Sequence, residues 1–223
     1  LAIQRNAAAL SVASLAAPTP TASTRRFTVE RWLEVFIPPR YRQASFETYR
    51  VTSGNRKLFA AATEYADTYG PDTHRGLLLA GSVGIGKTHL AVAIGRALAE
   101  RGYWPVWRNF AKVCIEIKQA WKNASAYSEA MIKEPLLTKA PLILDDLGAE
   151  MRDKQEQGWT AELVYEIIQT RYEAMLPTII TTNLTLEDIS QRYTDRTASR
   201  LAEMCEVVWV TAEDYRLGGG KHA

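Results

Sequence analysis

Gly81-Ser82-Val83-Gly84-Ile85-Gly86-Lys87-Thr88 carries a residue of the required type at every fixed position of the phosphate-loop pattern GxxxxGK[ST]. Such a loop works only between a buried strand and a helix, so it dictates the fold around it. The flanks comply. Gly76-Leu77-Leu78-Leu79-Ala80 is a short apolar run of the strand kind, and Thr88 to Glu100 has helical spacing through Leu90, Ala93, Ile94 and Leu98. Glycines let consecutive backbone N–H groups converge on phosphate oxygens, and the helix adds its positive N-terminal end. In that frame residues 81–88, with His89 in the first helical turn, are expected to hold ATP. Lys87 meets the outer phosphates and Thr88 holds Mg²⁺. The alternative, a chance glycine turn, is disfavoured by the strand and helix on either side.

A second signature follows downstream. Pro141-Leu142-Ile143-Leu144-Asp145-Asp146-Leu147-Gly148 sets two carboxylates directly after an apolar strand. Alone this is an ordinary turn. With a phosphate loop upstream, Asp145 suits the metal and Asp146 suits the activation of a water, because Mg²⁺ needs carboxylate support and hydrolysis needs a proton acceptor. Glu150 is a weaker candidate. Thr178 to Thr181 is a β-branched strand running into Thr182-Asn183. Read from residues alone Asn183 is a turn residue, although a polar side chain at that strand tip also stands where a γ-phosphate is touched.

The remaining pattern alternates. Pro105 to Phe110 and Glu206 to Val210 read as strands, giving five in all, and the helices between them point to a parallel sheet. Thr28 caps a short helix carrying Trp32, Val35 and Phe36, stopped by Pro38-Pro39. A helix over Arg56 to Thr68 follows Asn55, and Gly102 closes the helix that starts at Lys87. Phe110, Val113, Cys114, Ile117 and Trp121 form one apolar stripe, Pro135 to Ala140 reads as loop, and Glu162 to Met175 as a helix ended by Pro177. Thr185 with Asp188 makes a capping box, and a last helix over 195–205 is capped by Asp195. On it Arg196 and Arg200 stand one turn apart, a like-charge spacing that an anionic partner would explain; an Arg200 to Glu203 surface pair is the plainer reading.

Bulk properties bound the partners. A chain of 223 residues holds one α/β domain and a modest appendage. Twenty-seven basic against 25 acidic residues give a net charge of +2, so contact with nucleic acid has to be local. Lys112, Lys118 and Lys122, off the apolar stripe, with Trp121, are one such surface; a solvated face is the plainer alternative. Cys114 and Cys205, the only cysteines, show no metal or disulfide spacing and suggest a reducing compartment. No apolar run approaches the ~18 residues of a membrane span, so a cytoplasmic location is expected. Residues 1–24 are rich in Ala, Ser, Thr and Pro. Arg5 ahead of Ala7 to Ala17 admits a targeting peptide, but Pro18-Thr19-Pro20-Thr21 favours a flexible linker. The opening Leu suggests further sequence upstream.

Taken together, GSVGIGKTHL (81–90), LILDDLGAE (142–150), PTIITTNL (177–184), SRLAEMCEVV (199–208) and EDYR (213–216) resemble the signature set of the bacterial helicase-loader group of AAA+ ATPases, the DnaC/DnaI family. The likeness runs from PPRYRQASFETY (38–49) to Arg216. It implies a P-loop NTPase of AAA+/ASCE type: a doubly wound, parallel, five-stranded α/β sheet spanning 38–217, with 1–37 a linker and short helix, 218–223 a disordered tail, and no separate C-terminal helical lid. It assigns Asn183 as sensor and Arg200, with Arg196 beside it, as an arginine finger acting on a neighbouring subunit. Single-stranded DNA along the helices between Phe110 and Lys139 and a replicative helicase, gripped by a domain upstream of Leu1, are the implied partners. Two other readings share the loop: an IstB-type transposition helper that remodels duplex DNA, and a small-molecule phosphotransferase, for which neither a basic lid nor an acceptor pocket is visible.

Overall fold

The computed structural model describes residues 27–122, 126–150 and 157–211. The stretch up to residue 26, the EDYR motif and the tail 218–223 lie outside them. Five strands, β1 (Gly76–Gly81), β2 (Val106–Asn109), β3 (Leu142–Leu147), β4 (Thr178–Thr182) and β5 (Cys205–Val210), pair in the order β2-β3-β4-β1-β5. Every pairing is parallel. Parallel neighbours need crossovers, and helices supply them on both faces.

The strand sequences explain the two layers. Successive side chains alternate across a sheet, so Leu77, Leu79, Ile143 and Ile179 enter one core while Leu78, Ala80, Leu142, Leu144 and Ile180 enter the other. The first core is covered by α1 (Val29–Phe36), α2 (Arg56–Thr68) and α3 (Lys87–Glu100). The second is covered by α4 (Phe110–Lys122), α5 (Ala126–Leu137), α6 (Gln157–Glu173), α7 (Leu186–Arg192) and α8 (Asp195–Met204). Both cysteines are buried in the second core, and burial pushes the Cys205 thiol up to about 12. Among the described residues no helix is long and apolar enough to cross a membrane.

Helix α1 packs as part of the first core. Trp32 is 0% exposed and its indole N–H donates to the Pro105 carbonyl at 2.7 Å. The buried core therefore reaches N-terminal of residue 38.

Several boundaries differ from the sequence reading, each for a local reason. The stretch from Pro135 was read as loop, yet α5 continues through it to Leu137. Proline removes one backbone donor within the helix, and the carbonyls at and beyond the C-terminal end of α5 are met by Arg171. This arginine is 0% exposed. It donates to the carbonyls of Leu136 and Thr138 (3.1 and 3.0 Å), Ala140 and Pro177 (3.0 and 2.9 Å) and to the Thr178 hydroxyl (2.7 Å). Burial pulls its pKa down to about 10, yet each carbonyl it serves would cost roughly 1–3 kcal/mol if left unsatisfied. Helix α6 starts ahead of Glu162 and ends before Met175, which turns the chain at φ 50°.

The N-caps also differ in detail. Thr28 caps α1 and Thr185 with Asp188 forms the expected box, but the α8 cap is Thr194 instead of Asp195, because its hydroxyl accepts from the Thr197 N–H. Asn55 precedes α2 without capping it; its side chain closes the turn from Arg50 and Thr52. Cys205 opens β5 where the sequence had it ending the helix. Trp121 leaves the buried stripe at 45% exposure, and Ala120 is buried in its place.

Candidate nucleotide-binding site

The C-terminal ends of β1 to β4 lie along one edge of the sheet, where doubly wound folds bind ligands. From β1 the chain turns at Gly81, and residues 82–86 lead into α3 at Lys87. Gly81 has φ 142°, and a Cβ there would lie 1.8 Å from the Val210 carbonyl oxygen. Gly86, with φ 90°, is the N-cap of α3 and offers no side chain to its first turn. The orphan N–H groups of a 14-residue helix are thus left without a side-chain cap, the arrangement an anion takes. Ile85 is buried beneath the loop and Val83 is exposed at its crest.

Lys87 lies across this loop. Its ammonium donates to the carbonyls of Gly81 (2.8 Å) and Ser82 (2.7 Å) and to Asn183 Oδ1 (2.6 Å). The tip of β4 therefore meets the phosphate-loop lysine directly, which the residues alone did not show for Asn183.

At the end of β3 the two carboxylates are separated by a bulge. Leu144 pairs with Ile180 but Leu147 with Thr182, so β3 carries one residue more than β4. Asp146 absorbs it with φ 57°, a conformation Asp adopts more readily than most side chains. The hydroxyl of buried Thr181 joins the pair: it donates to Asp145 Oδ1 at 2.7 Å and accepts from the Asp146 N–H at 2.9 Å. Asp145 is 2% exposed. Burial, and then the neighbouring Asp146 charge, push its carboxyl up to about 6, opposed by Thr181, Thr88 and Asn109. Asp146 is half-buried and accepts from Asn109 Nδ2 at 3.2 Å. Asn109 and Thr181 were missed by the sequence reading. The available signal was a polar residue at the end of each strand flanking β3.

These residues fit a magnesium-bound nucleoside triphosphate. The uncapped start of α3 and Lys87 suit the phosphates; the Thr88 hydroxyl and Asp145 suit the cation. Among the described residues no three His, Cys, Asp or Glu side chains gather as a metal cluster. A cation here would draw ligands from the phosphates and water, as Mg²⁺ does.

Other candidates lie apart from this network. The His89 ring faces away from the loop crest, with Nε2 at 2.8 Å from the Ser45 carbonyl and 3.3 Å from Thr48 Oγ1. Glu150 is buried and accepts from Arg192, Tyr193 and the Gly148 N–H, so its carboxylate ties the end of α7 to the turn after β3. The Arg200 guanidinium lies over the rings of Tyr165 (5.0 Å) and Tyr172 (5.8 Å), while Glu203 accepts from the Tyr172 hydroxyl. Arg196 is exposed beside Tyr165 and Thr194. On α4, Lys112 and Lys122 are exposed; Lys118 lies over the Trp159 ring at 5.6 Å. Trp121 packs edge-on against Trp159 and donates to Glu129.

Comparison with known proteins agrees with this geometry. The model of the family described as IstB-like ATP binding protein matches residues 47–223. The chain belongs to this IstB-like ATP-binding family. Its relatives include the replicative helicase loader DnaI of Bacillus subtilis, 25% identical over 79% of this chain and 57% of DnaI. The replicative helicase loader DnaC of Buchnera aphidicola (Schizaphis graminum) is likewise 25% identical, over 78% of this chain and 68% of that protein. The chain thus spans little more than half the length of DnaI. Among solved structures, the DnaC helicase loader superposes with a TM-score of 0.66 at 28% identity, covering 78% of this chain and 99% of that one. The IstB-like chain therefore has the P-loop α/β fold of DnaC and DnaI.

Proposed function

We propose that the chain is a Mg²⁺-dependent ATPase that couples nucleotide turnover to self-association on single-stranded DNA, in the manner of a helicase loader. The observation that supports the chemistry is the convergence of Lys87, Asn183, Asp145 and Asp146 at one sheet edge, joined through a 2.6 Å Lys87–Asn183 bond and the shared Thr181 hydroxyl.

In this reading the loop N–H groups and Lys87 bind the triphosphate, with Ser82, Val83, Gly84 and Ile85 shaping the cradle. Thr88 and Asp145 hold Mg²⁺, which would neutralise charge on the phosphates. Asp146 takes the proton of the attacking water. Asn109 orients that carboxylate, and Asn183, now bonded to Lys87, is placed to report on the γ-phosphate. Replacing Asp146 by Asn keeps shape and removes basicity, so the variant is expected to bind Mg-ATP within about threefold of wild type while hydrolysis falls by 10²–10⁴. A fluorescent-nucleotide titration beside a phosphate-release assay checks this. If Asp145→Asn alone blocks turnover and Asp146→Asn does not, the two roles are exchanged.

The DNA path rests on α4, where Lys112 and Lys122 are exposed and Trp121 presents part of its ring. Phosphate contacts and base stacking would act together there. Binding should weaken as salt rises, and removing both lysines should flatten the salt slope by about 1.4 in log–log form, at about 0.7 per single-strand contact. An unchanged slope removes α4 from the path. Clear preference for duplex supports the second reading, a transposition helper, to which the family description lends weight. A replicative helicase as partner, an AAA+ unit that takes in α1 and runs to residue 217, and a cytoplasmic location complete the proposal.

A further inference from the structure

The segment leading into α2 reaches the phosphate loop through Tyr49. Tyr49 is 9% exposed, and its hydroxyl donates to the Ile85 carbonyl at 2.6 Å. The same ring lies against Gly86, where a Cβ would come within 2.5 Å of Tyr49 Cε2. Both contacts fall on a single peptide unit of the loop. The ring is held from behind by Phe59 of α2, stacked at 5.6 Å and 15° between planes, and at its edge by His89 at 5.2 Å. His89 in turn is tied to the Ser45 carbonyl. Burial raises the Tyr49 phenol to about 12, so it remains a protonated donor at any working pH.

A trans peptide directs its C=O and N–H to opposite sides. A hydroxyl that fixes the Ile85 carbonyl toward Tyr49 therefore turns the Gly86 N–H the other way, which in the ATP-binding reading is the side of the phosphates. We infer that Tyr49 is a positioning residue that fixes the orientation of the Ile85–Gly86 peptide and so presets one amide donor of the phosphate cradle. This rests on the ATP-binding reading of the loop. Without the hydroxyl the peptide can rotate, since glycine accepts several backbone conformations, and its ordering is then charged to nucleotide binding.

Tyr49→Phe tests this in the full chain, because it keeps the stack on Phe59 and deletes only the hydroxyl. The ATP dissociation constant is expected to rise about five- to tenfold, the size of one lost neutral hydrogen bond. In ¹⁵N–¹H spectra the Gly86 amide should shift in the nucleotide-free protein. ATP affinity within twofold of wild type overturns the inference. So does a loss of affinity accompanied by an unmoved Gly86 resonance and shifts spread through α2, which would mark a packing role. If wild type itself binds no ATP, the ATPase reading falls and this inference falls with it; if wild type binds and the variant is unchanged, only this inference falls.

Discussion

Lys87→Ala is expected to lose more than 10²-fold in ATP affinity. Hydrogen bonds to charged groups contribute about 1.5–3 kcal/mol each, and this ammonium can meet oxygens on two phosphates. In the structure it is already satisfied by two loop carbonyls and Asn183, so binding exchanges partners and creates no new buried charge. The exchange is favourable because an anionic oxygen is a stronger acceptor for an ammonium than a neutral carbonyl. Titration with a fluorescent ATP analogue measures the loss, and circular dichroism confirms that the variant is folded. Near-normal affinity in a folded variant would refute the phosphate-loop assignment.

How much of this was readable beforehand depended on distance along the chain. The phosphate loop and the Asp145-Asp146 pair were legible because their chemistry needs particular residues at fixed local spacing. Strand β1 was legible as the continuous apolar run Leu77 to Ala80, the pattern of a strand covered on both faces. What stayed hidden were contacts made across long separations. Tyr49 meets Ile85 over 36 residues, and nothing in PPRYRQASFETY distinguishes that tyrosine from Tyr41. The bulge at Asp146 depends on Thr181, 35 residues on, and a single strand sequence does not disclose the register of its neighbour.

Polar burial was the other blind spot. Arg171 reads as a solvated charge in the last turn of a helix, yet it is buried against five acceptors. Three of those acceptors are carbonyls at or beyond the C-terminal end of α5, where the helix has no further N–H to offer, and they meet Arg171 only once α5, α6 and the start of β4 are brought together. Glu150 misled in the opposite direction: two residues past Gly148 and close to the paired acids, it looked available for catalysis, but Arg192 and Tyr193 claim its carboxylate.

Arg200→Ala is expected to lower hydrolysis by 10³–10⁵, the range for an arginine finger supplied in trans, while nucleotide affinity stays near wild type. In the structure Arg200 rests on Tyr165 and Tyr172 of its own chain and, among the described residues, pairs with no carboxylate. Two partly exposed cation–π contacts contribute about 0.5–1 kcal/mol each. A rate effect of 10³–10⁵ corresponds to about 4–7 kcal/mol at 1.36 per decade. The tyrosines can therefore hold the side chain extended in an isolated subunit without preventing its transfer to a triphosphate on the next one. If so, specific activity rises with protein concentration. Mixing Arg200→Ala, which keeps its pocket, with Lys87→Ala, which keeps its finger, should restore turnover that neither shows alone, provided subunits exchange. A mixture that stays inactive while wild type is fully active as a verified monomer would place Arg200 among the structural residues of α8, as a cation packed on two tyrosines, and would remove the case for catalysis between subunits.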